Sequence, residues 1–554
     1  MYSCIPFRRR NGEFAASGMC SRPLWSLDSE GECYELLTGT YSPDTGSKMR
    51  VHNVRSGRFV AALLAAGATA AFTAAPATAT PATSSGLNVN DVNRHLVALQ
   101  RIAERNDGTR ASGTPGYQAS VDYVAGKLRR AGYEVSTPDF DFTKYQLDSV
   151  ELAVAGSPVE AGAMEYSPAT PDGGVRAPLS VTPVDDSTGC QAADYEGKDV
   201  TGTITLIKRG ACTFAKKQRI AAEHGAEAAV IYNNVEGALN GTLGGGDAGV
   251  IPTASVSKAV GAELVAKEGE SASLTLDATF DEITTENVIA ETRTGRKDNV
   301  VMAGAHLDSV DEGAGINDNG TGSAALLETA LEMGGSPDVN NAVRFAWWGA
   351  EESGLIGSTK YVNGLTFEQQ LDIAMYLNFD MIGSPNAGYF TYDGDDSDGV
   401  GAGPGPYGSA QIERDFTEAM KRQGVEVEGT DFNGRSDYGQ FIAVGIPAGG
   451  LFTGAGGIKT EAQAAKWGGE AGAAYDPNYH EAADDLGNVD RTALIRNTRA
   501  MADVVTHYGE TTEEVNGMRS RAERAQARSM AMARPMSAAT HTESHGHSCQ
   551  LPLK

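Results

Sequence analysis

Apolar and polar positions alternate in two styles along this chain. From Asp91, DVNRHLVALQRIAERN puts Val92, Leu96, Leu99 and Ile102 on one helical face. GTRASGTPG (108–116) is turn chemistry, followed by a second amphipathic helix, YQASVDYVAGKLRRAG, and a strand, YEVSTPDFDF. Around 145–165 the pattern breaks into short strand-like runs, and from about 166 to 280 it is β-rich with one helix. Within that stretch, strands are expected over 204–207 and 228–232 and a helix over 214–224.

The first style then returns. Strands are expected at 286–292, 299–306, 342–350, 373–380 and 446–454, with helices at 321–333, 355–362, 410–423 and 490–507 between and after them. Strands alternating with helices predict an α/β fold: a mixed, mostly parallel sheet covered by helices on both faces. A β-rich domain over 151–282 would be inserted into it, leaving 80–150 and 283–508 as the two parts of one α/β domain.

The ends of the chain carry other signals. Residues 1–48 show little periodicity and read as a non-native leader, with Met49 as the start. Basic residues to Arg58, the apolar run FVAALLAAGATAAF and Ala77-Thr78-Ala79 then compose a secretory signal peptide over 49–79. The run is too short to span a bilayer, so an exported protein cleaved near Ala79 is expected, without a membrane span. Residues 509–554 have low apolar content and read as a disordered tail.

Composition adds one exclusion. With 45 Lys and Arg against 72 Asp and Glu, the net charge is −27. That argues against a nucleic-acid or anionic-membrane surface and for a self-repelling monomer.

The chemistry lies where apolar strands end. NVVMAGAH ends in His306, with Asp308 just beyond; AVRFAWWGA runs into Glu351-Glu352; IAMYLNF runs into Asp380. Asp318 arrives from a Gly-rich loop, and Tyr479-His480 from a loop late in the chain. Charged groups at the ends of buried strands are costly without a partner, and a metal supplies one. Imidazole with carboxylate suits zinc. Two histidines, His306 and His480, and three carboxylates, Asp318, Asp380 and one of the Glu351-Glu352 pair, exceed the three protein ligands usual for one catalytic zinc, and suit two ions sharing a carboxylate.

Two resemblances sharpen this picture. KRGACTFAKKQRIAAEHGAEAAVIYNN, with Ile251-Pro252 leading into a further strand, resembles the protease-associated (PA) domain. Cys190 and Cys212 fall inside it and, in an exported protein, are expected to form a disulfide. Separately, HLDS, GINDNGTG, WWGAEE, NFDMIG and YH (479–480) resemble the M28 family of zinc aminopeptidases, in particular the secreted double-zinc enzymes of streptomycetes. That resemblance implies two zinc ions per chain, bridged by Asp318. His306 and Asp380 would complete one site, and Glu352 and His480 the other. It implies Glu351 as general base, Asp308 as the carboxylate behind His306, Tyr479 as an oxyanion donor, and a hydroxide bridging the ions as nucleophile. The substrate would be peptide or protein N-termini, with large apolar residues such as Leu preferred. Arg435 and Asp437 are candidates for holding the substrate, with Asp431 and Glu428 as further candidates for its α-ammonium. Open beside this are a PA-containing M28 carboxypeptidase or dipeptidase and a non-catalytic binding protein on the same fold.

Overall fold

The run from Val300 to Ala305 is wholly buried, which only a central strand with a neighbour on each side and a layer on each face permits. The structure is a computed structural model. It describes residues 86–516 except 184–186, 236, 238, 240 and 400–402, together with 25–27, 33–35, 525, 526 and 529. Residues 1–78 and 79–554 are separate units. In the first, Trp25–Leu27 pairs antiparallel with Cys33–Glu35; the expected leader and signal peptide otherwise lie outside the described residues.

The second unit holds two sheets. The first contains β1 (Glu134–Ser136), β2 (Val288–Glu291), β3 (Arg296–His306), β4 (Asn341–Trp348), β5 (Ile373–Phe379), β6 (Phe390–Tyr392), β7 (Glu428–Thr430) and β8 (Ala448–Phe452). Their order is β7-β6-β8-β5-β3-β4-β2-β1. Strands β4, β3, β5 and β8 run parallel, and β2 and β6 close them antiparallel. Side chains alternate across β3: Val301, Ala303 and Ala305 enter one core, Met302 the other. The first core also takes in Leu96 of α1 (Val89–Glu104), Leu128 of α2 (Pro115–Arg130), Leu326 of α3 (Gly322–Met333), Phe416 of α4 (Ser409–Arg422) and Met501 of α5 (Arg491–Glu510). The N-terminal helices therefore pack with elements from the far side of the insert. Helix α5 runs past residue 508, and Thr512 and Val515 beyond it are also buried.

The second sheet contains the insert. Its longest pairing joins Asp139–Val154 to Ser271–Glu286, antiparallel. Short runs are expected from the sequence near 145, yet Asp139–Val154 is one strand of 16 residues. Much of it is exposed or half-buried, so its apolar alternation is faint and its partner lies far along the chain. Cys190 and Cys212 are joined, with sulfurs 2.03 Å apart. The insert is tied to the first sheet by hydrogen bonds: the Tyr117 hydroxyl donates to the Glu286 carbonyl at 2.6 Å, and the Tyr166 hydroxyl to the Ser353 carbonyl at 2.8 Å.

One side chain fixes the loop between β3 and α3. Arg110, fully buried, donates to the carbonyls of Ala314 (2.8 Å), Gly315 (2.7 Å) and Leu307. Burial lowers its pKa to about 10, against the opposing charge of Asp308 and Asp484, so it stays protonated at neutral pH. Arg110→Met would remove the charge and leave buried carbonyls without donors, at about 1–3 kcal/mol per group. We expect a loss of about 3 kcal/mol in unfolding free energy, measured by denaturant titration. A change within about 0.5 kcal/mol, typical of an innocuous surface substitution, would contradict this role.

Candidate active site

Parallel strands end on one edge of a sheet, and three of them deliver acids or a base there. His306 is the last residue of β3; Asp380 follows β5; Glu351 and Glu352 lie in the turn after β4. Asp318 sits in the segment Ile316–Thr321 that leads into α3, and its peptide bond to Asn319 is cis. Helix α3 approaches closely because Gly322 has no side chain: a Cβ there would stand 2.3 Å from the Phe379 carbonyl oxygen. His480 comes from the late loop, with its ring centroid 3.8 Å from that of Tyr479.

The side chains converge. His306 Nε2 lies 3.1 Å from Asp318 Oδ1, 3.2 Å from Asp380 Oδ1 and 3.9 Å from Glu351 Oε2. His480 Nε2 lies 3.3 Å from Asp318 Oδ2 and 3.2 Å from Glu352 Oε2. Asp318 thus turns one oxygen to each imidazole. Asp308 stands behind His306, its Oδ1 3.5 Å from Nδ1. It also accepts the backbone N–H groups of Glu351 (3.4 Å) and Glu352 (3.3 Å), so one carboxylate orients both the histidine and the Glu-Glu turn.

Further holding groups are not visible in the sequence pattern. Asp484 accepts the N–H groups of Asn317 (2.8 Å) and Asp318 (2.9 Å). Ser436 donates to Asp380 Oδ2 at 2.7 Å and itself accepts from Asn378 at 2.7 Å. Each looks like ordinary loop chemistry until its partner is known. A signal existed for Ser436, which stands between the two singled-out residues Arg435 and Asp437.

Burial and charge set the protonation of the cluster. Burial, with the charges of Glu352, Asp380 and Asp437, pushes Glu351 well above the carboxylate range, against the pull of His306. Burial and Asp318 raise Glu352 to about 7, against His480. Burial would lower His480, but Glu352 and Asp318 raise it to about 10. His306 is raised in the same way, its burial outweighed by Glu351 and Asp380. Desolvation, then the charges of Asp318 and Glu352, raises Tyr479 well above 10, so its hydroxyl stays protonated. A site with this many buried acids calls for added positive charge.

The donor set fits metal. His306, Glu351 and Asp380 bring one ligand atom each within 4.8 Å of one another, as do His306, Asp318 and Glu352. Two ligands of one tetrahedral zinc, each bonded at about 2.1 Å, stand about 3.4 Å apart, close to the imidazole–carboxylate separations here. Glu352 Oε1 is buried with no hydrogen-bond partner, a costly arrangement unless a cation meets it.

These groups open into a cavity of about 570 Å³. Met381, Phe390, Phe452 and Tyr475 give it an apolar flank, and Arg435 and Asp431 line it as well. Asp437 is not among its lining residues: it is 1% exposed, and burial raises its pKa to about 7. Asp437 is therefore set back from the cavity surface that Asp431 lines. Glu428 is engaged by Lys466 at 2.6 Å and Gln463 at 2.8 Å.

Comparison with known proteins agrees with this geometry. The peptidase family M28 profile matches residues 287–505, and the PA domain profile residues 175–264. The chain is 50% identical over 434 residues to a probable lipoprotein aminopeptidase, LpqL, of Mycobacterium tuberculosis, covering 78% of this chain and 87% of that one. It is 44% identical over 481 residues to an aminopeptidase of Pseudomonas aeruginosa, covering 83% and 88%. Among solved structures, an aminopeptidase from Aneurinibacillus sp. strain AM-1 is similar with a TM-score of 0.61 and 30% identity, covering 76% of this chain and 94% of that one. On this evidence of sequence, fold and site together, the chain belongs to peptidase family M28, as a metallo-aminopeptidase with a PA domain ahead of the matched peptidase segment.

Proposed function

We propose that the protein is an exported aminopeptidase that uses two zinc ions to remove large apolar residues from peptide N-termini. The observation that carries this reading is Asp318, with one oxygen 3.1 Å from His306 and the other 3.3 Å from His480. Asp318, His306 and Asp380 would hold one ion, and Asp318, Glu352 and His480 the other. Bound zinc supplies Lewis acidity: it polarises the scissile carbonyl and makes a water easier to deprotonate.

The chain's own residues do the rest. Glu351 is buried beside the ligands but has the lone role of base. It takes a proton from the attacking water as the C–O bond forms, and returns it to the leaving nitrogen as the C–N bond breaks. Its raised pKa suits both halves of that transfer. Tyr479 donates its hydroxyl to the developing oxyanion. Asp308 keeps His306 in the tautomer with Nε2 toward the metals. Arg435 meets the substrate backbone, and Asp431 is the acid placed for the free α-ammonium. Met381, Phe390, Phe452 and Tyr475 support an apolar first residue. Export follows from the signal-like segment ending near Ala79; among the described residues no helix is long and apolar enough to cross a membrane.

The direct test is release of 4-nitroaniline from Leu-4-nitroanilide, beside its N-acetylated counterpart. We expect cleavage of the free amine only, loss on chelation and recovery with Zn²⁺. Cleavage of the acetylated substrate, or none of the free amine by zinc-loaded protein, would overturn the reading. Glu351→Gln should lower kcat about a thousandfold with zinc content unchanged. Activity within about tenfold of wild type would remove Glu351 as the base, since a general base contributes about 10²–10⁴.

A further inference from the structure

The cavity has one wall that the first sheet does not build. Arg209, Asn233 and Val235 line it from the PA domain. Arg209 directly follows the strand Ile204–Lys208, and its N–H donates to the Tyr232 carbonyl at 2.9 Å. Its guanidinium Nη1 donates to Asn233 Oδ1 at 3.2 Å. Asn233 is buried, and the same oxygen accepts the Asn234 backbone N–H at 2.9 Å, so the side chain that aims Arg209 is itself fixed. The Cys190–Cys212 disulfide staples the turn just after it. Arg435 lines the same cavity from the peptidase side. After burial, its charge is the cause that lowers the Arg209 pKa, so the two guanidinium groups feel one another.

Depth orders the cleft. Glu351 at its floor is 3% exposed, Arg209 is half-buried, Arg435 is exposed, and Val235 is 54% exposed. A peptide entering amino end first leaves the residues after the scissile bond near the mouth. Two planar donor forks there match a carboxylate; of the acids lining the cavity, Asp318, Glu351, Glu352 and Asp380 belong to the histidine–carboxylate cluster, and Asp431 lies outside it.

We propose that Arg209 of the PA domain, acting with Arg435 of the peptidase part, is a specificity-determining residue that binds a carboxylate downstream of the scissile bond. That group is either the C-terminus of a short peptide or an acidic side chain. The PA domain thereby selects what the peptidase site cleaves. This inference rests on the free-amine exopeptidase reading above.

The test compares kcat/KM within two substrate pairs: Leu-Gly-Gly against its C-terminal amide, and Leu-Gly-Glu amide against Leu-Gly-Gln amide. In the wild type, the carboxylate member of at least one pair should be favoured about tenfold, through KM, as for a charge-assisted hydrogen bond. A preference in the first pair assigns the terminal carboxylate; one in the second assigns the side chain. Arg209→Gln should bring that ratio close to one while still cleaving the amides. Arg219→Gln, on the exposed side of the next helix, should keep the wild-type ratio. No preference in either wild-type pair, or an unchanged ratio in Arg209→Gln, would overturn the proposal. Failure of the wild type to cleave any of the four substrates would strike the exopeptidase reading, and this inference with it.

Discussion

Everything in this protein answers to one electrostatic constraint: four carboxylates and two imidazoles are packed at one sheet edge, within about hydrogen-bond distance of each other and largely away from water. Unscreened like charges at such separations repel by several kcal/mol even at a generous effective dielectric. Without cations, the cluster is held together by protons on the imidazoles, raised by the carboxylates around them against their burial, and on Glu351 and Glu352, raised by burial and by one another's charge. Metal uptake must displace those protons. Affinity for zinc therefore rises with pH across the range in which they titrate.

The second ring of residues makes sense as the apparatus that holds this repulsion in place. Asp308 ties β3 to the turn after β4. Asp484 holds the backbone of Asn317 and Asp318, and Ser436 holds Asp380. Arg110 is a buried guanidinium among these carboxylates, and it clamps the loop carbonyls between His306 and Asp318. From the insert, Tyr166 reaches the carbonyl of Ser353, next to Glu352 in the turn after β4. The insert is thus attached to the chemistry as well as placed over it.

How much of this was legible in the sequence depended on how local the signal was. His306, Glu351, Glu352 and Asp380 announce themselves because a polar group at the end of an apolar run breaks a pattern within a few residues. The parallel core strands were legible for the same reason: they must be apolar throughout. Arg110 was not legible, since it sits in a Gly- and Thr-rich turn and its partners are some 200 residues away. Asp484 and Ser436 were hidden likewise. The burial of Asp437, 1% exposed just ahead of the short helix Tyr438–Ala443, was not legible either, since an acid beside an arginine carries no local sign of burial. The long ribbon of Asp139–Val154 escaped because its faces are both partly wet, leaving pairing, which no periodicity reports, to define it.

The central claim is that Asp318 bridges two ions. The most direct measurement is zinc content per chain, by elemental analysis of protein saturated with Zn²⁺ and then desalted, for wild type and His480→Ala. Two zinc ions in the wild type and no more than one in His480→Ala is the predicted result. One ion in the wild type, or two retained without His480, would contradict it.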